Sequence, residues 1–356
     1  MLSRAQNNLV RFDVAIIGSG PAGCALAIHL RKAGISTAIF TAPRRSISDG
    51  FPETLPPGVT EKEVWPAGCA SLRPHYAMAS AWGDSKITTR HAICNPLGHG
   101  WFVDRGTFDR EMLAEATDGG AVPVIRGRLR SAERTQNGWS LGFSGAPDVV
   151  DAGFVVDASG RSSAFARMLG VRRIALDRLV CLSAKAVPAD FPAGEALVES
   201  AETGWWFSAL NASGDLSISF FTNPDGVSFK DALRATIHTS KRISHLLPGR
   251  PVSRAARTDW LETPAGEGWL AIGDAAFASD PLGSQGLLRA LETAEKAAGM
   301  IGDSARKYCE IHVDYLDRFL RDRRFFYEAE RRWPDAPFWR SARGNLNPHT
   351  ETTWPK

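Results

Sequence analysis

A continuous apolar run, Val14 to Ile17, leads into three spaced glycines and an alanine-rich stretch that stops at Gly34; a second apolar run covers Ser36 to Phe40. This order predicts strand, tight turn, helix and strand. The Pro-, Gly- and Ser-rich stretch APRRSISDGFPETLPPGV, residues 42–59, reads as a loop. Residues 61–98 carry one weak helical pattern and strand-like pieces at Ala77–Trp82 and Lys86–Ala92. Phe108, Met112 and Leu113 recur at helical spacing and mark a helix over Thr107–Thr117. A short strand at Ala121–Ile125, a hairpin turn at Gln136-Asn137-Gly138 and alternating strands up to Val156 come next. Residues 171–258 predict an antiparallel sheet with strands Leu179–Ala186, Gly204–Ala209 and Leu216–Thr222 and a helix Phe229–His238. Gly268–Ile272 reads as a buried strand, Gly286–Met300 as a helix, and Ser304–Arg332 as an amphipathic helix closed by Pro334.

Composition narrows the class. With 356 residues, 44% hydrophobic and 23% charged, the chain can bury a sizeable core. A net charge of +3 gives no argument for nucleic acid. No apolar run reaches the roughly 18 residues of a membrane span, and the N-terminal MLSRAQNN is polar, so a cytoplasmic protein is expected. The five cysteines form no C-x-x-C pair and read as small core side chains, and the eight histidines show no ligand spacing, so no metal is expected. Tryptophan is abundant, eleven against four tyrosines. Trp82, Trp101, Trp205, Trp206, Trp333 and Trp339 are the candidates for lining a pocket for a flat ligand.

The first turn reads Gly18-Ser-Gly20-Pro21-Ala22-Gly23 between a strand and a helix, the setting that a dinucleotide phosphate requires. Gly18 permits the turn, Gly20 lets backbone approach a pyrophosphate, and Gly23 lets the helix pack close to the strand. Unpaired N–H groups at the helix start then face the anion. The end of the second strand, where an acid usually grips ribose hydroxyls, holds Thr41. Three further motifs follow in order: GWFVDRGTFDREML at 100–113, FVVDASGR at 154–161, and GWLAIGDAAFASDPLGSQGLLRALETA at 268–294. The last ends a buried strand at Gly273-Asp274, continues into a Pro-Gly loop and starts a helix near Gly286, an arrangement suited to a polyhydroxyl chain.

Together the four motifs resemble the flavin-binding set of the p-hydroxybenzoate-hydroxylase-type flavoproteins. The resemblance implies an α/β fold: a Rossmann-like (GR2-type) FAD-binding domain with an inserted antiparallel β-sheet substrate domain and a C-terminal helical segment. The corresponding boundaries are 1–60, 99–170 and 255–303 for the discontinuous FAD-binding domain, 61–98 and 171–254 for the β-rich domain, and 304–356 for the C-terminal helix and tail. It further implies FAD as cofactor, with Gly18, Gly20, Pro21, Ala22 and Gly23 at the pyrophosphate and Arg105 at the phosphate and ribityl region. Asp157 to Gly160 would lie near the adenine, with backbone contacts from Leu129. Asp274 would accept from ribityl or ribose hydroxyls. Pro281, Gly283, Gln285 and Gly286 would present backbone N–H groups to the flavin pyrimidine edge. Thr41 departs from the family's acid, and a neutral hydroxyl is a weaker partner; Arg44 or Arg45 is the alternative contact for the adenosine phosphate.

A narrower likeness rests on PETLPP (52–57), SAWG (80–83), NPLGHGWFVDRGTFD (95–109), GWWFSA (204–209) and RRWPDAPFWRSAR (331–343). These segments are similar to a halogenase-like branch of flavoproteins that includes maturation enzymes for quinone-cofactor amine oxidases and dehydrogenases. The likeness implies oxygenation of an aromatic substrate, a tryptophan in a precursor protein, on the way to cysteine tryptophylquinone. Halogenation is disfavoured, because W-x-W-x-I-P is absent and the stretch CASLRPHYAMASAWG offers Arg73 and His75 but no lysine. No second GxGxxG exists, so NAD(P)H must act directly at the flavin site or an external reductant must serve it. Glu53, His75 and Trp206 are the candidate catalytic residues, with His99 a further candidate base. Trp205 and Trp206 are adjacent in a strand and so point to opposite faces. A reductase or dehydrogenase and a small-molecule hydroxylase stay open as alternatives on the same scaffold, as does a docking role for Arg318–Arg343, weighed against packing of Phe325, Phe326 and Trp333.

Overall fold

The computed structural model describes residues 10–42, 52–66, 69, 72–120, 122–145, 149–303 and 305–344. Arg44 and Arg45 lie outside them. The apolar strand Val10–Ile17 sits at the centre of the first sheet, parallel to Val149–Asp157 on one side and Thr37–Thr41 on the other. Trp269–Ala271 and Val124–Arg126 extend the parallel core outward. Buried on both faces, the central strand is apolar at every position from Val14 to Ile17. Helices Pro21–Lys32 and Gly286–Ala298 cover one face, so the first turn and the last flavin motif become neighbours. The hairpin Arg128–Thr135/Gly138–Ser144 covers the other, where Phe143 stacks on Phe40 at 4.3 Å between centroids.

The second sheet runs in the order 243–246, 180–188, 216–222, 204–210, 195–201, 77–81, 88–91. The segment 77–91 therefore shares a sheet with 180–222, although Gly100–Asp104 separates it in sequence by joining a small sheet with Pro52–Leu55 and Leu72–His75. Alternation along Gly204–Leu210 places Trp205 against Tyr327 and Trp339 and sends Trp206 to the opposite layer with Phe220 and Phe229. The long helix Ala305–Ala329 and the short helix Pro337–Gly344 close the structure over Trp205.

Several expectations need correction. Pro52–Leu55 lies within the predicted loop but pairs as a strand. The weak helix in 61–98 is absent among the described residues, where only single 3-10 turns form. The helix at Phe229 ends at Arg234 rather than His238. Glu195–Ala201 was not predicted, and its pairing with Ala77–Ala81 is parallel within an otherwise antiparallel sheet. Cys94 is exposed rather than a core side chain. Phe325 and Phe326 are 68% and 47% exposed, whereas Trp333 packs on a cluster with Tyr327, Phe338 and Trp339.

Candidate flavin cleft

The glycine turn is shaped by backbone clearance. A side chain at Gly18, whose φ is +124°, would place Cβ 2.3 Å from the Ala158 carbonyl oxygen. At Gly23 it would lie 2.0 Å from the Gly18 carbonyl oxygen. Both glycines therefore hold the turn from behind, while Gly20, Pro21 and Ala22 line the cavity in front. The helix starts at Pro21 with Gly20 as its N-cap and no side chain capping its amides. Gly286–Ala298 likewise begins without a side-chain cap and opens on the same cavity. Two positive helix ends converge on one space of about 450 Å³.

The described lining of that space includes two carboxylates, Glu53 and Asp274. Asp274 follows the buried strand Trp269–Ala271 and is held by Arg289 at 3.0 Å and Arg161 at 3.8 Å. Arg289 is 2% exposed, and its charge stays inside because Asp274 pairs with it and Phe277 lies under it at 4.6 Å. Beside this pair, burial first, then Arg289 and Arg173, push the His312 pKa down to about 4. Glu53 bonds Arg105 at 2.7 Å, and Arg105 also pairs with Asp109 at 3.0 Å. Burial opposes the Arg105 charge, but Glu53 and Asp109 outweigh it and the pKa is raised. Arg105 is the first residue of its helix, whose N-cap Asp104 accepts from the Thr107 amide at 2.8 Å.

The loop before Gly286 is fixed from below. Asp280 accepts from Leu282 N at 3.0 Å, Arg323 Nε at 3.1 Å and the Tyr327 hydroxyl at 2.7 Å. Tyr327 in turn accepts from Trp205 Nε1 at 3.1 Å. Trp205 faces the cavity and stacks on Phe221 at 3.8 Å between centroids. Cys181, Ser183 and Ser219 add a polar strip to the same wall, with Ser183 and Ser219 3.0 Å apart.

Of the residues singled out from sequence, Gly20, Pro21, Ala22, Glu53, Arg105, Asp274, Pro281, Gln285 and Gly286 come together around this cavity. Gly283 and His75 line an adjoining outer groove instead. His75 lies tilted against Phe102 at 4.7 Å between centroids, and burial lowers its pKa. Thr41 bonds Ser19 through its hydroxyl at 2.8 Å, and Leu129 lies in the hairpin core; neither lines the cavity. His99 bonds the Gly100 carbonyl. Trp206 is fully buried on the far face, so Trp205, not Trp206, meets the cavity. Asp157 is also fully buried, accepting from Ser159 N and Oγ and from the Phe165 and Ala166 amides. Its neighbours Ala158, Gly160 and Arg161 line the cleft. Sequence reasoning missed Arg289 and Asp280; the available signal was a lone arginine among the apolar positions of a helix start, and an aspartate directly before Pro281.

The donor set fits FAD. Glycines cradle a turn without room for Cβ, two uncapped helix ends open on the space, and the Asp274 carboxylate that lines it can accept from hydroxyl groups. The fold and this cleft define an FAD-dependent oxidoreductase-type flavoprotein, an enzyme whose cofactor is FAD. Comparison with known proteins gives the particulars. The model of the lycopene cyclase protein family matches residues 13–177. The putative FAD-dependent oxidoreductase LodB of Marinomonas mediterranea is 25% identical over 363 residues, 92% of this chain and 96% of that protein. The structure of QhpG, a peptidyl tryptophan dihydroxylase essential for tryptophylquinone cofactor biogenesis, superposes with a TM-score of 0.72 at 25% identity, covering 94% of this chain and 79% of its own. The chondrochloren halogenase CndH gives a TM-score of 0.77 at 19% identity, over 94% of this chain and 86% of that one, a likeness of fold. Among the described residues no helix is long and apolar enough to cross a membrane.

Proposed function

We propose that this flavoprotein is a monooxygenase-type enzyme that oxygenates an aromatic, indole-type side chain. Its substrate is a tryptophan within a precursor protein destined to carry a tryptophan-derived quinone cofactor. The observation that carries this reading is an apolar wall of half-buried Met78, Val198 and Phe207, backed by Trp205 stacked on Phe221, in one cavity with the loop Pro281–Gly286. A flat, electron-rich ring fits against such a face. QhpG, a peptidyl tryptophan dihydroxylase at 25% identity over 94% of the chain, supports the same reading, and LodB supports the FAD-dependent oxidoreductase part of it.

FAD, once bound and reduced by NAD(P)H or an external donor, supplies the two-electron and O2 chemistry. The chain's own residues do the rest. Gly20, Pro21 and Ala22 at the helix start would hold the pyrophosphate, Asp274 would accept from sugar hydroxyls, and Arg105 would contact the phosphate and ribityl part. The uncapped start of Gly286–Ala298 would favour negative charge on a cofactor bound there. The aromatic wall orients the ring and excludes water. Glu53, tied to Arg105, is the lining carboxylate left to accept a proton. Halogenation is disfavoured further, since the described lining of the cavity contains no lysine. The boundaries 1–60, 99–170 and 255–303 for the FAD-binding part, against 61–98 and 171–254 for the substrate part, belong to this proposal.

The test is single-turnover oxidation of the reduced, FAD-loaded enzyme in isotopically labelled O2 with a tryptophan-containing peptide. Oxygen label in the indole is the expected result; reoxidation that leaves every indole substrate unlabelled sinks the reading in favour of a reductase or dehydrogenase. Glu53→Gln should retain its yellow colour and lose about 10²-fold or more in turnover.

A further inference from the structure

A second cavity of about 780 Å³ adjoins the flavin cleft, and the two share Thr54, Met78, Ser284 and Gln285 as lining. Ser284 is one of two non-glycine residues with positive φ among those described, at 48°, and it stands at the junction. The outer groove is built from Thr54–Pro57, His75–Met78, the strand Thr88–His91 and the turn after it. Its described lining includes Arg90, His75 and His91 and no aspartate or glutamate. The nearest lining carboxylate of the inner cleft, Glu53, is paired with Arg105. Arg90, His91 and the lining Tyr76 (53%) are exposed, and Ile93 and Leu97, which stand between lining residues in the sequence, are 93% and 72% exposed. Single exposed apolar side chains need no explanation, but three within 22 residues around one groove mark a contact surface.

We infer that this groove is the seat of an extended, acidic polypeptide segment that flanks the reactive aromatic residue of a protein substrate. The inference rests on the proposed function and deepens it. A free amino acid or other small ring needs no second groove beyond the flavin end. A polypeptide must instead run from solvent to the flavin end, and this groove is continuous with that end through Ser284 and Gln285. Arg90, the one arginine in a described lining that has no lysine and no acid, selects negative charge. Tyr76, Ile93 and Leu97 supply apolar contacts beside the groove.

The experiment uses the full FAD-loaded chain and three labelled probes: a short peptide with one central tryptophan flanked by aspartates, the same peptide flanked by lysines, and N-acetyltryptophanamide. Fluorescence anisotropy reads binding at low and high salt. The aspartate peptide should bind more tightly than the lysine peptide by about tenfold at low salt, and the preference should shrink with salt. Arg90→Glu should weaken the aspartate peptide about three- to tenfold with the flavin spectrum retained. Equal binding of the two peptides, an unchanged affinity in Arg90→Glu, or displacement by a single-stranded oligonucleotide of equal charge as effective as by the aspartate peptide would overturn the groove. Failure of the parent reading looks different: the aspartate peptide then binds with its charge preference intact but takes up no oxygen.

Discussion

At Gly23 the missing side chain is a geometric requirement, because Cβ would sit 2.0 Å from the Gly18 carbonyl oxygen. Gly23→Ala must push the helix away from the strand, costing about 1–3 kcal/mol as overpacking does. Flavin content per protein should fall together with the denaturation midpoint. Asp274 is a different case, since its carboxylate has two duties. It faces the cavity, and it is the ion-pair partner of the buried Arg289. Asp274→Ala should give weakly coloured protein that is also destabilised by about 3 kcal/mol, the cost of leaving a buried charge unpaired. Adding Arg289→Met should recover stability in chemical denaturation without restoring colour. Recovery of both would mean that the carboxylate only positions Arg289. The motif marked Asp274 in the sequence; Arg289 was not legible there, because a helical arginine looks the same whether it meets water or an internal acid.

At the scale of elements, the long helix Ala305–Ala329 works as a strut for the flavin loop. Tyr327 joins Asp280, which precedes that loop, to Trp205 in the aromatic wall. Tyr327→Phe leaves the buried Trp205 N–H without its acceptor, a loss of about 1–3 kcal/mol, and it should loosen flavin binding measured by titration. Beyond the helix end, Glu330 is fully buried and accepts from Gly83 N at 2.8 Å, Ser200 Oγ at 2.6 Å and Arg332. Burial alone would raise its pKa, but those hydrogen bonds outweigh burial and lower it from 4.5 to about 2. A depressed carboxylate stabilises the fold above its unfolded pKa, and that contribution is lost as pH falls from 4.5 toward about 2. The stability gap between the native chain and Glu330→Gln should be on the order of 3 kcal/mol at neutral pH and should narrow over that acid window in urea titrations. A gap that stays constant with pH would contradict the assignment. The helix itself was predictable from its amphipathic pattern, whereas its partners were not: Phe325 and Phe326 are apolar yet exposed, and Tyr327 carries the packing.

For the whole molecule, the cleft is assembled from the first turn, the strand Pro52–Leu55, the start of Arg105–Ala116, the second sheet and the loop before Gly286. FAD binding across so many segments should stabilise the native chain as a unit, by about 2.7 kcal/mol at a hundredfold excess over Kd. Thermal scans with and without FAD should show one cooperative transition that moves upward with flavin; a shift confined to part of the transition would argue against a cleft shared by all these segments. The sequence by itself determined the opening strand–turn–helix–strand order, the glycine turn, the strand-end Asp274 and the opposed directions of Trp205 and Trp206, because these follow from local periodicity and from steric rules of a few residues; the parallel sheet was implied only by resemblance. Tertiary structure alone decided that Trp205 meets the cavity, that Glu53 pairs with Arg105, that Glu195–Ala201 lies parallel to Ala77–Ala81, and that a groove with no acid among its described lining opens beside the loop Pro281–Gly286. Those outcomes depend on contacts between segments far apart in the chain, and no local pattern encodes which distant partner will share a buried surface.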